Sequence, residues 1–305
     1  MWPLWPSPLP SVSNLNAMLR TALIVTLVNL TSPAMAIDLE GLWDFSNPAL
    51  SEQRFQAALA SANPDDSLIL QTQIARTYGL RGEFAKARDI LKDLEPQLAS
   101  ASPQAQTRHA LELGRTLASA AHPPDSQTPQ DKERARGAYE RALGLAKKHR
   151  LDDLAIDALH MLAFVDTAPA DQLKWGREAL AVVQASSQPA ARKWEGSIRN
   201  NLGYALHQLG RYDEALAEFQ RAVMVRETGA NAQATRIAYW MVAWTLRSMN
   251  RVDEALEIQL RLEREGDAAG APDPYVFEEL EQLYQLKDDA RRAQHYADRK
   301  KVLSR

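Results

Sequence analysis

Residues 202–222 read LGYALHQLGRYDEALAEFQRA, and this stretch decides the fold. Apolar and small residues recur at three- and four-residue steps on both sides of Gly210, which is typical of two amphipathic helices joined by a short turn. Leu202 and Gly203 fall on the first helix, and Ala215 falls on the second. Small side chains let two antiparallel helices approach closely, and larger ones fill the space between them. The stretch therefore predicts a tightly packed helical hairpin.

The same spacing returns along most of the chain. Five positions near the start of the predicted second helices follow one another at steps of 40, 40, 40 and 38 residues: Ala135, Trp175, Ala215, Ala255 and Ala293. Trp175 is the bulky exception in this set. The first helices carry matching pairs, again 40 residues apart, at Leu162–Ala163, Leu202–Gly203 and Val242–Ala243, with earlier copies at Ile74–Ala75 and Leu113–Gly114. Agreement at so many offsets indicates a structural repeat.

This pattern resembles the tetratricopeptide repeat, a helix–turn–helix unit that stacks into a solenoid. The resemblance implies an all-α, right-handed solenoid of about six helical hairpins. The period of 40 residues exceeds the usual length of about 34 and is similar to that of the longer-helix members of the family. Residues 37–55 also resemble the start of bacterial proteins of this type, for which no activity is assigned.

The domain boundaries follow from composition. After Asn47 and Pro48, a typical helix start, Ala49–Ser61 should form an amphipathic helix that caps the stack, so that residues 37–66 make an N-terminal segment. The repeat array is then expected over residues 67–304. A proline-rich insertion at residues 119–131 predicts a loop, either a tolerated surface insertion or a partner-binding loop.

The first 36 residues pose a separate question. They contain a single charge, Arg20, followed by an apolar run of about ten residues and a small-residue ending at Ala36, which is the order of a signal peptide with cleavage after Ala36. The competing interpretation is that translation starts at Met35 and that the upstream stretch is a wrongly assigned extension. We favour the start at Met35, which gives a cytoplasmic protein; the alternative is an exported, periplasmic one.

Composition excludes several function classes. The chain has 305 residues, with 36 Lys and Arg against 39 Asp and Glu, so its formal charge of −3 gives no attraction to nucleic acid or to anionic membranes. The absence of cysteine excludes disulfides, thiolate chemistry and cysteine-ligated zinc. The apolar run near the N-terminus is too short to span a bilayer, which takes about 20 residues. We therefore expect no stable membrane insertion of the mature chain.

The sequence carries no enzyme motif. The six histidines show no i, i+4 pair of the kind that binds metal on a helix, and the sequence has no nucleophile elbow, phosphate-binding loop or dinucleotide-binding turn. We expect no catalytic residue, no cofactor and no metal. The leading hypothesis is a non-catalytic scaffold or adaptor that binds a protein or peptide. A regulatory or ligand-sensing solenoid is the alternative, and an enzyme with an unrecognised site is a distant third.

The candidate binding residues come from the resemblance. In such solenoids the first helices line a concave groove, and positions three before, one after and four after the small residue face the ligand. These positions contain Arg76, Arg115, His160, Phe164, Asn200, Tyr204, His207, Trp240, Trp244 and Arg247.

Two patterns stand out among these candidates. Arg76 and Arg115 occupy the same place in the first two repeats and could form a positive patch that binds a carboxylate. If they are exposed, replacing both by alanine should weaken binding without unfolding the protein. Phe164, Tyr204 and Trp244 occupy the equivalent place in the next three repeats and could form an aromatic stripe. The alternative is that these side chains belong to the core.

Overall fold

The computed structural model describes residues 37–303, which form two compact units, residues 37–149 and residues 150–303. The predicted signal peptide and the predicted start at Met35 lie outside the described residues. Within residues 37–303 the regular structure is entirely helical, without a strand. The predicted all-α fold is confirmed.

The N-terminal unit contains six helices. They are α1 (Leu39–Leu42), α2 (Pro48–Leu59), α3 (Pro64–Leu80), α4 (Phe84–Leu98), α5 (Pro103–Leu117) and α6 (Pro129–Lys148). Helix α2 matches the predicted capping helix: the Asn47 side chain caps it, Pro48 begins it, and it packs against α3 with Phe55 fully buried. The hairpins α3–α4 and α5–α6 follow it.

Four of these helices begin with the same chemistry. Proline occupies the first helical position of α2, α3, α5 and α6, and a side-chain oxygen of the preceding Asn, Ser or Thr accepts a backbone N–H of the first turn. Proline fits there because its missing N–H would have no partner within the helix, and the cap satisfies one of the remaining donors. The sequence thus determines where each helix starts.

The C-terminal unit contains nine helices over residues 150–303. They are α7 (Asp152–Val165), α8 (Pro169–Ala185), α9 (Pro189–Arg192), α10 (Glu195–Gln208), α11 (Tyr212–Glu227), α12 (Ala232–Ser248), α13 (Val252–Ala268), α14 (Pro274–Leu286) and α15 (Ala290–Leu303). Four hairpins result: α7–α8, α10–α11, α12–α13 and α14–α15. With the two of the N-terminal unit they make the six hairpins that the sequence predicts.

Four of the hairpin turns are alike. Gly82, Gly210, Asn250 and Asp288 all have positive φ, between 56° and 76°. The N–H of the next residue bonds back to the carbonyl five residues earlier, as from Arg211 to Leu206 at 3.0 Å. This is the Schellman ending of a helix, which requires the left-handed conformation that glycine and asparagine tolerate best. The predicted tight turn at Gly210, with Asn250 in its place in the next repeat, is observed.

Small residues sit where the helices touch. A Cβ added at Gly203 would lie 2.6 Å from a ring carbon of Phe219, and one added at Gly114 would lie 2.4 Å from a ring carbon of Tyr139. Both rings are fully buried. Each ring therefore fills the space that the missing side chain leaves, as the sequence predicts.

The third hairpin departs from the predicted pattern at Trp175. Gly176, rather than Trp175, occupies the close contact, where an added Cβ would lie 2.8 Å from a side-chain carbon of Leu202. Trp175 is half-buried, and its indole N–H donates to Asp166 Oδ2 at 2.8 Å. The residue next to the bulky exception is therefore the small one that makes a close contact with α10 of the next hairpin.

The predicted loop at residues 119–131 runs between the end of α5 and the start of α6 at Pro129. The His122 ring stacks on Phe84 with 3.8 Å between ring centroids, and Tyr139 Oη donates to Ala118 O at 2.7 Å. Partial burial lowers the pKa of His122. The His122 contact attaches the loop to the hairpin α3–α4, and the Tyr139 bond fixes the residue just before the loop to α6.

Candidate functional site

Four predicted groove residues come together on α10 and α12. Trp244 stacks on Tyr204 with centroids 6.0 Å apart, on His207 at 3.4 Å and on Trp240 at 5.9 Å, with interplanar angles of 18° to 20°. We call Tyr204, His207, Trp240 and Trp244 the aromatic ladder. Tyr204 and Trp244 are half-buried, whereas Trp240 and His207 are buried. The ladder therefore presents ring surface at Tyr204 and Trp244 and is anchored in the core by Trp240 and His207.

His207 is a buried member of the ladder, and its ring stacks on Trp244. Its Nε2 is 2.9 Å from Ser248 Oγ, and the edge of Tyr212 packs against its ring with centroids 4.9 Å apart. Burial and, secondarily, the charge of Arg247 lower the pKa of His207 to about 4. The ring is consequently neutral near pH 7, and it contributes a flat apolar surface to the stack instead of a charge.

Arg247, the last predicted groove residue, is held by a carboxylate that spacing did not predict. Its Nε and Nη2 donate to the two oxygens of Glu279 on α14 at 2.7 and 2.8 Å. The Glu279 side chain is only 3% exposed. This bidentate pair crosses from α12 to α14 and neutralises the guanidinium, so Arg247 adds no net charge beside the ladder.

The other candidates of this unit lie outside the ladder. Phe164 is half-buried on α7 and has no ring partner among the described residues. His160 is buried, with its Nδ1 3.2 Å from the Asn201 amide nitrogen and its ring near Trp194. Asn200 is half-buried, and its Oδ1 is a buried atom without a hydrogen-bond partner. The predicted aromatic stripe thus forms between Tyr204 and Trp244 and does not extend to Phe164.

Arg76 and Arg115 lie in the N-terminal unit, where they share one carboxylate. Glu112 Oε1 is 2.6 Å from Arg115 Nη1 and 3.8 Å from Arg76 Nη1, and the Glu112 side chain is 3% exposed. The two arginine side chains are 12% and 14% exposed. The expected patch of two exposed cations is therefore wrong, because Glu112, three residues before Arg115, cancels one charge and both arginines are largely covered.

The cover over Arg76 comes from the residues before α2. Trp43 and Phe45 stack on each other with centroids 4.5 Å apart, and the Arg76 guanidinium carbon lies 5.6 and 5.4 Å from these two rings. The Trp43 indole N–H donates to Gln73 Oε1 at 3.1 Å. The two contacts between the guanidinium and the rings are cation–π interactions, which attract a cation to the face of an aromatic ring. The segment before α2 thus covers this face of α3.

The C-terminal unit contains a cleft of about 440 Å³. It lies between α12, the end of α13 and the start of α14. Trp240, Ile237 and Tyr275 form much of its apolar wall, and Arg236 also lines it. Pockets that hold small ligands or side chains usually enclose about 300–1,000 Å³. Because Trp240 belongs both to the cleft and to the aromatic ladder, the two surfaces are continuous.

No metal-binding group was found in the part of the chain that the structure describes, where no three His, Asp or Glu side chains are placed to share an ion. Over the same residues no helix is both long enough and apolar enough to cross a bilayer. The absence of a cofactor remains a prediction.

The comparisons with known proteins decide the identity of the repeat. The sequence profile described as "Tetratricopeptide repeat" matches residues 194–263, which span the hairpins α10–α11 and most of α12–α13. The repeat is a tetratricopeptide repeat. Repeats of this family generally serve as binding scaffolds without chemistry of their own. No curated protein matches the sequence closely enough to count as a relative.

Solved tetratricopeptide-repeat structures resemble the chain in fold. A STAND protein with a tetratricopeptide repeat sensor from Pyrococcus horikoshii has a TM-score of 0.64 at 13% identity; the match covers 84% of this chain and 39% of that protein. PilF of Pseudomonas aeruginosa has a TM-score of 0.55 at 16% identity, covering 78% and 92%. Aspartyl phosphate phosphatase F of Bacillus subtilis has a TM-score of 0.51 at 14% identity, covering 84% and 75%. The chain thus spans about two fifths of the Pyrococcus protein, and these identities support the fold alone.

Proposed function

We propose that this tetratricopeptide-repeat protein is a non-catalytic adaptor whose C-terminal unit binds an extended segment of a partner protein. The observation that carries the proposal is the continuity of the aromatic ladder with the 440 Å³ cleft through Trp240. Aromatic side chains are enriched in the cores of protein interfaces, where they bury much area with little loss of side-chain freedom. A row of rings beside a pocket suits a peptide that lays apolar side chains along it.

The partial exposure of the ladder favours a binding role over a role in core packing alone. A ring that served only the core would be covered by the chain's own side chains, as Phe219 and Tyr139 are. Tyr204 and Trp244 are half-buried and occur at the same place of consecutive repeats. Such recurrence favours a surface that contacts one continuous ligand across both hairpins.

A display selection tests the proposal. A random twelve-residue peptide library would be selected on the full chain, and an enriched peptide would be measured by fluorescence anisotropy. Changing Tyr204→Leu and Trp244→Leu together should weaken its binding about 30-fold or more, because one aromatic hot spot contributes about 2 kcal/mol or more and the effects of two adjacent rings do not simply add. Tyr239→Leu is the matched control: it removes a ring from the same helix α12 but outside the ladder.

Two results would count against a peptide-binding ladder. One is a selection that enriches no peptide at all. The other is an enriched peptide that binds the ladder variant and the wild type equally, while circular dichroism shows that the variant is folded. Weakening by Tyr239→Leu to the same degree would mean that loss of any ring on α12 disturbs the unit.

A ligand-sensing role is the second candidate, and the cleft favours it. Its volume lies in the range of small-molecule pockets, and it contains aromatic, apolar and polar side chains. The Pyrococcus horikoshii protein with a similar fold carries a tetratricopeptide repeat sensor. Native mass spectrometry of the purified chain would favour sensing if it found a stoichiometric small molecule, and the adaptor if it found none.

We also propose that the chain is translated from Met35 and acts in the cytoplasm. Support comes from the low charge of residues 1–36, which contain only Arg20 as a charged residue. Mass spectrometry of the mature N-terminus in the native host should find Met35, or Ala36 after removal of the methionine. A mature chain that starts at Ile37 would instead indicate signal cleavage after Ala36 and export.

A further inference from the structure

The cleft combines its apolar wall with a cation that has no ion-pair partner. Arg236 lines the cleft from α12, and no carboxylate of the described residues forms a salt bridge with it. Several other arginines of the unit are paired, for example Arg199 with Glu218 at 2.7 Å and Arg247 with Glu279 at 2.7 Å. The positive charge at the cleft is thus available to a ligand.

A second cation lies on the other side of Ile237. This isoleucine lines the cleft and also a small pocket between α10, α11 and α12 that contains Arg226. The Arg226 guanidinium donates to Ser197 Oγ at 2.7 Å and forms no salt bridge with any described carboxylate. Gly196 makes room for it, because an added Cβ would lie 2.8 Å from Arg226 Nε. A half-buried guanidinium without a carboxylate is costly, so this region favours an anion from outside.

One carboxylate lines the cleft, and its role is structural. Asp273 Oδ1 accepts the backbone N–H of Tyr275 at 2.9 Å, which caps α14. A negative charge at the N-terminus of a helix is balanced by the helix dipole and by the capped N–H group. Asp273 is thus engaged in the helix cap and forms no salt bridge with Arg226 or Arg236, which leaves both guanidinium groups available to an acidic ligand group.

We propose that the cleft between α12, α13 and α14 binds an apolar side chain of the partner together with an adjacent carboxylate. The apolar group lies against Ile237, Trp240 and Tyr275, while Arg236 contacts the carboxylate and Arg226 attracts it from behind Ile237. This rests on the proposed function, since it names the chemistry of the segment that the C-terminal unit holds. The partner is accordingly an acidic peptide with large apolar residues.

A pair of small probes tests the cleft without any selected peptide. The probes are 3-indolepropionate and its neutral amide, which share one aromatic group and differ in the carboxylate. Binding is followed through the indole N–H signal of Trp240 in nitrogen–proton correlation spectra, assigned with Trp240→Phe. The carboxylate should bind roughly tenfold more tightly than the amide, because hydrogen bonds to charged groups are stronger than those between neutral ones.

Matched variants assign the preference to the cleft. Arg236→Met should remove most of the difference between the two probes, and Arg226→Met should reduce it. Arg221→Met is the control, because it removes the same charge from an exposed position of α11 where Arg221 pairs with Glu218. It should leave the tenfold preference intact. Equal binding of both probes, an unmoved Trp240 signal, or a preference that survives Arg236→Met would overturn the inference.

The two proposals fail separately. If a selected peptide depends on Tyr204 and Trp244 but neither probe shifts the Trp240 signal, peptide binding is supported and the binding of a carboxylate in the cleft is not. If the carboxylate probe binds more tightly than the amide and Arg236→Met removes the difference, while the library yields no peptide, the cleft is a site for small carboxylates and the peptide-binding proposal is wrong. If a selected peptide binds through both surfaces, changing its glutamate residues to glutamine should weaken its binding to the wild type. The same change should have little effect on its binding to the Arg236→Met variant.

Discussion

Replacing Arg76 and Arg115 together by methionine is expected to destabilise the N-terminal unit by about 3–5 kcal/mol. The reason is Glu112, whose carboxylate is 3% exposed and contacts both guanidinium groups. Removing the cations leaves a buried charge without compensation, which is among the most destabilising changes in a protein. Arg115→Met alone should account for most of the loss, because its nitrogen is 2.6 Å from Glu112 and that of Arg76 is 3.8 Å away.

A triple variant separates the charge effect from lost packing. Adding Glu112→Gln to the double variant removes the uncompensated charge while it keeps the shape, so most of the lost stability should return. Chemical denaturation gives the free energy of unfolding, and hydrogen exchange of peptides from α3 and α5 reports on this unit separately. If the double variant matches the wild type, or if the triple variant is no more stable than the double one, the shared carboxylate does not hold the two helices as described.

The fold was predictable because its rules are local. Small residues and turns recur at fixed spacing, so the repeat pattern is enough to place Gly203, Gly210 and Asn250. The arrangement of Trp175 and Gly176 was not predictable. It depends on a hydrogen bond from the Trp175 indole to Asp166 and on close contact with another hairpin, and spacing alone contains neither.

The candidate site was predictable only where repeats place like residues together. Tyr204 and Trp244 share a repeat position, and their rings stack. The partners of the arginines were missed, because Glu279 is 32 residues from Arg247 and no repeat rule joins them. For Arg115 a signal did exist: Glu112 is three residues earlier, a spacing at which helical side chains meet.

The cleft could not be predicted from the sequence, because it depends on the geometry of a loop. Its wall combines α12, the end of α13 and the loop before α14, and the loop geometry decides whether a space opens there. Neither Arg226 nor Arg236 occupies a predicted groove position. What distinguishes them from the many paired arginines of the unit is that no described carboxylate forms a salt bridge with either, which depends on the three-dimensional arrangement.

Gly114→Ala and Gly144→Ala should change stability in opposite directions, although both place the same methyl group on a helix of the N-terminal unit. Alanine is intrinsically better in a helix than glycine by about 1 kcal/mol. At Gly144 nothing lies within 4 Å of the added Cβ, so the substitution should stabilise the unit by up to about 1 kcal/mol. At Gly114 the Cβ would lie 2.4 Å from Tyr139 Cε1, so overpacking should outweigh the propensity and cost about 1–3 kcal/mol.

The loss at Gly114 should act through Tyr139. That ring is fully buried and its hydroxyl donates to Ala118 O at 2.7 Å, so it cannot move aside without losing both its packing and its hydrogen bond. Tyr139→Leu is destabilising by itself. In the Tyr139→Leu background, however, Gly114→Ala should destabilise much less than in the wild type, because substitutions of residues in contact do not have additive effects on stability. A double-mutant cycle by chemical denaturation measures this coupling. Additive effects, or a gain in the free energy of unfolding at Gly114 equal to that at Gly144, would show that the two helices do not meet at this residue. The same reasoning applies to Gly203 and Phe219 in the C-terminal unit.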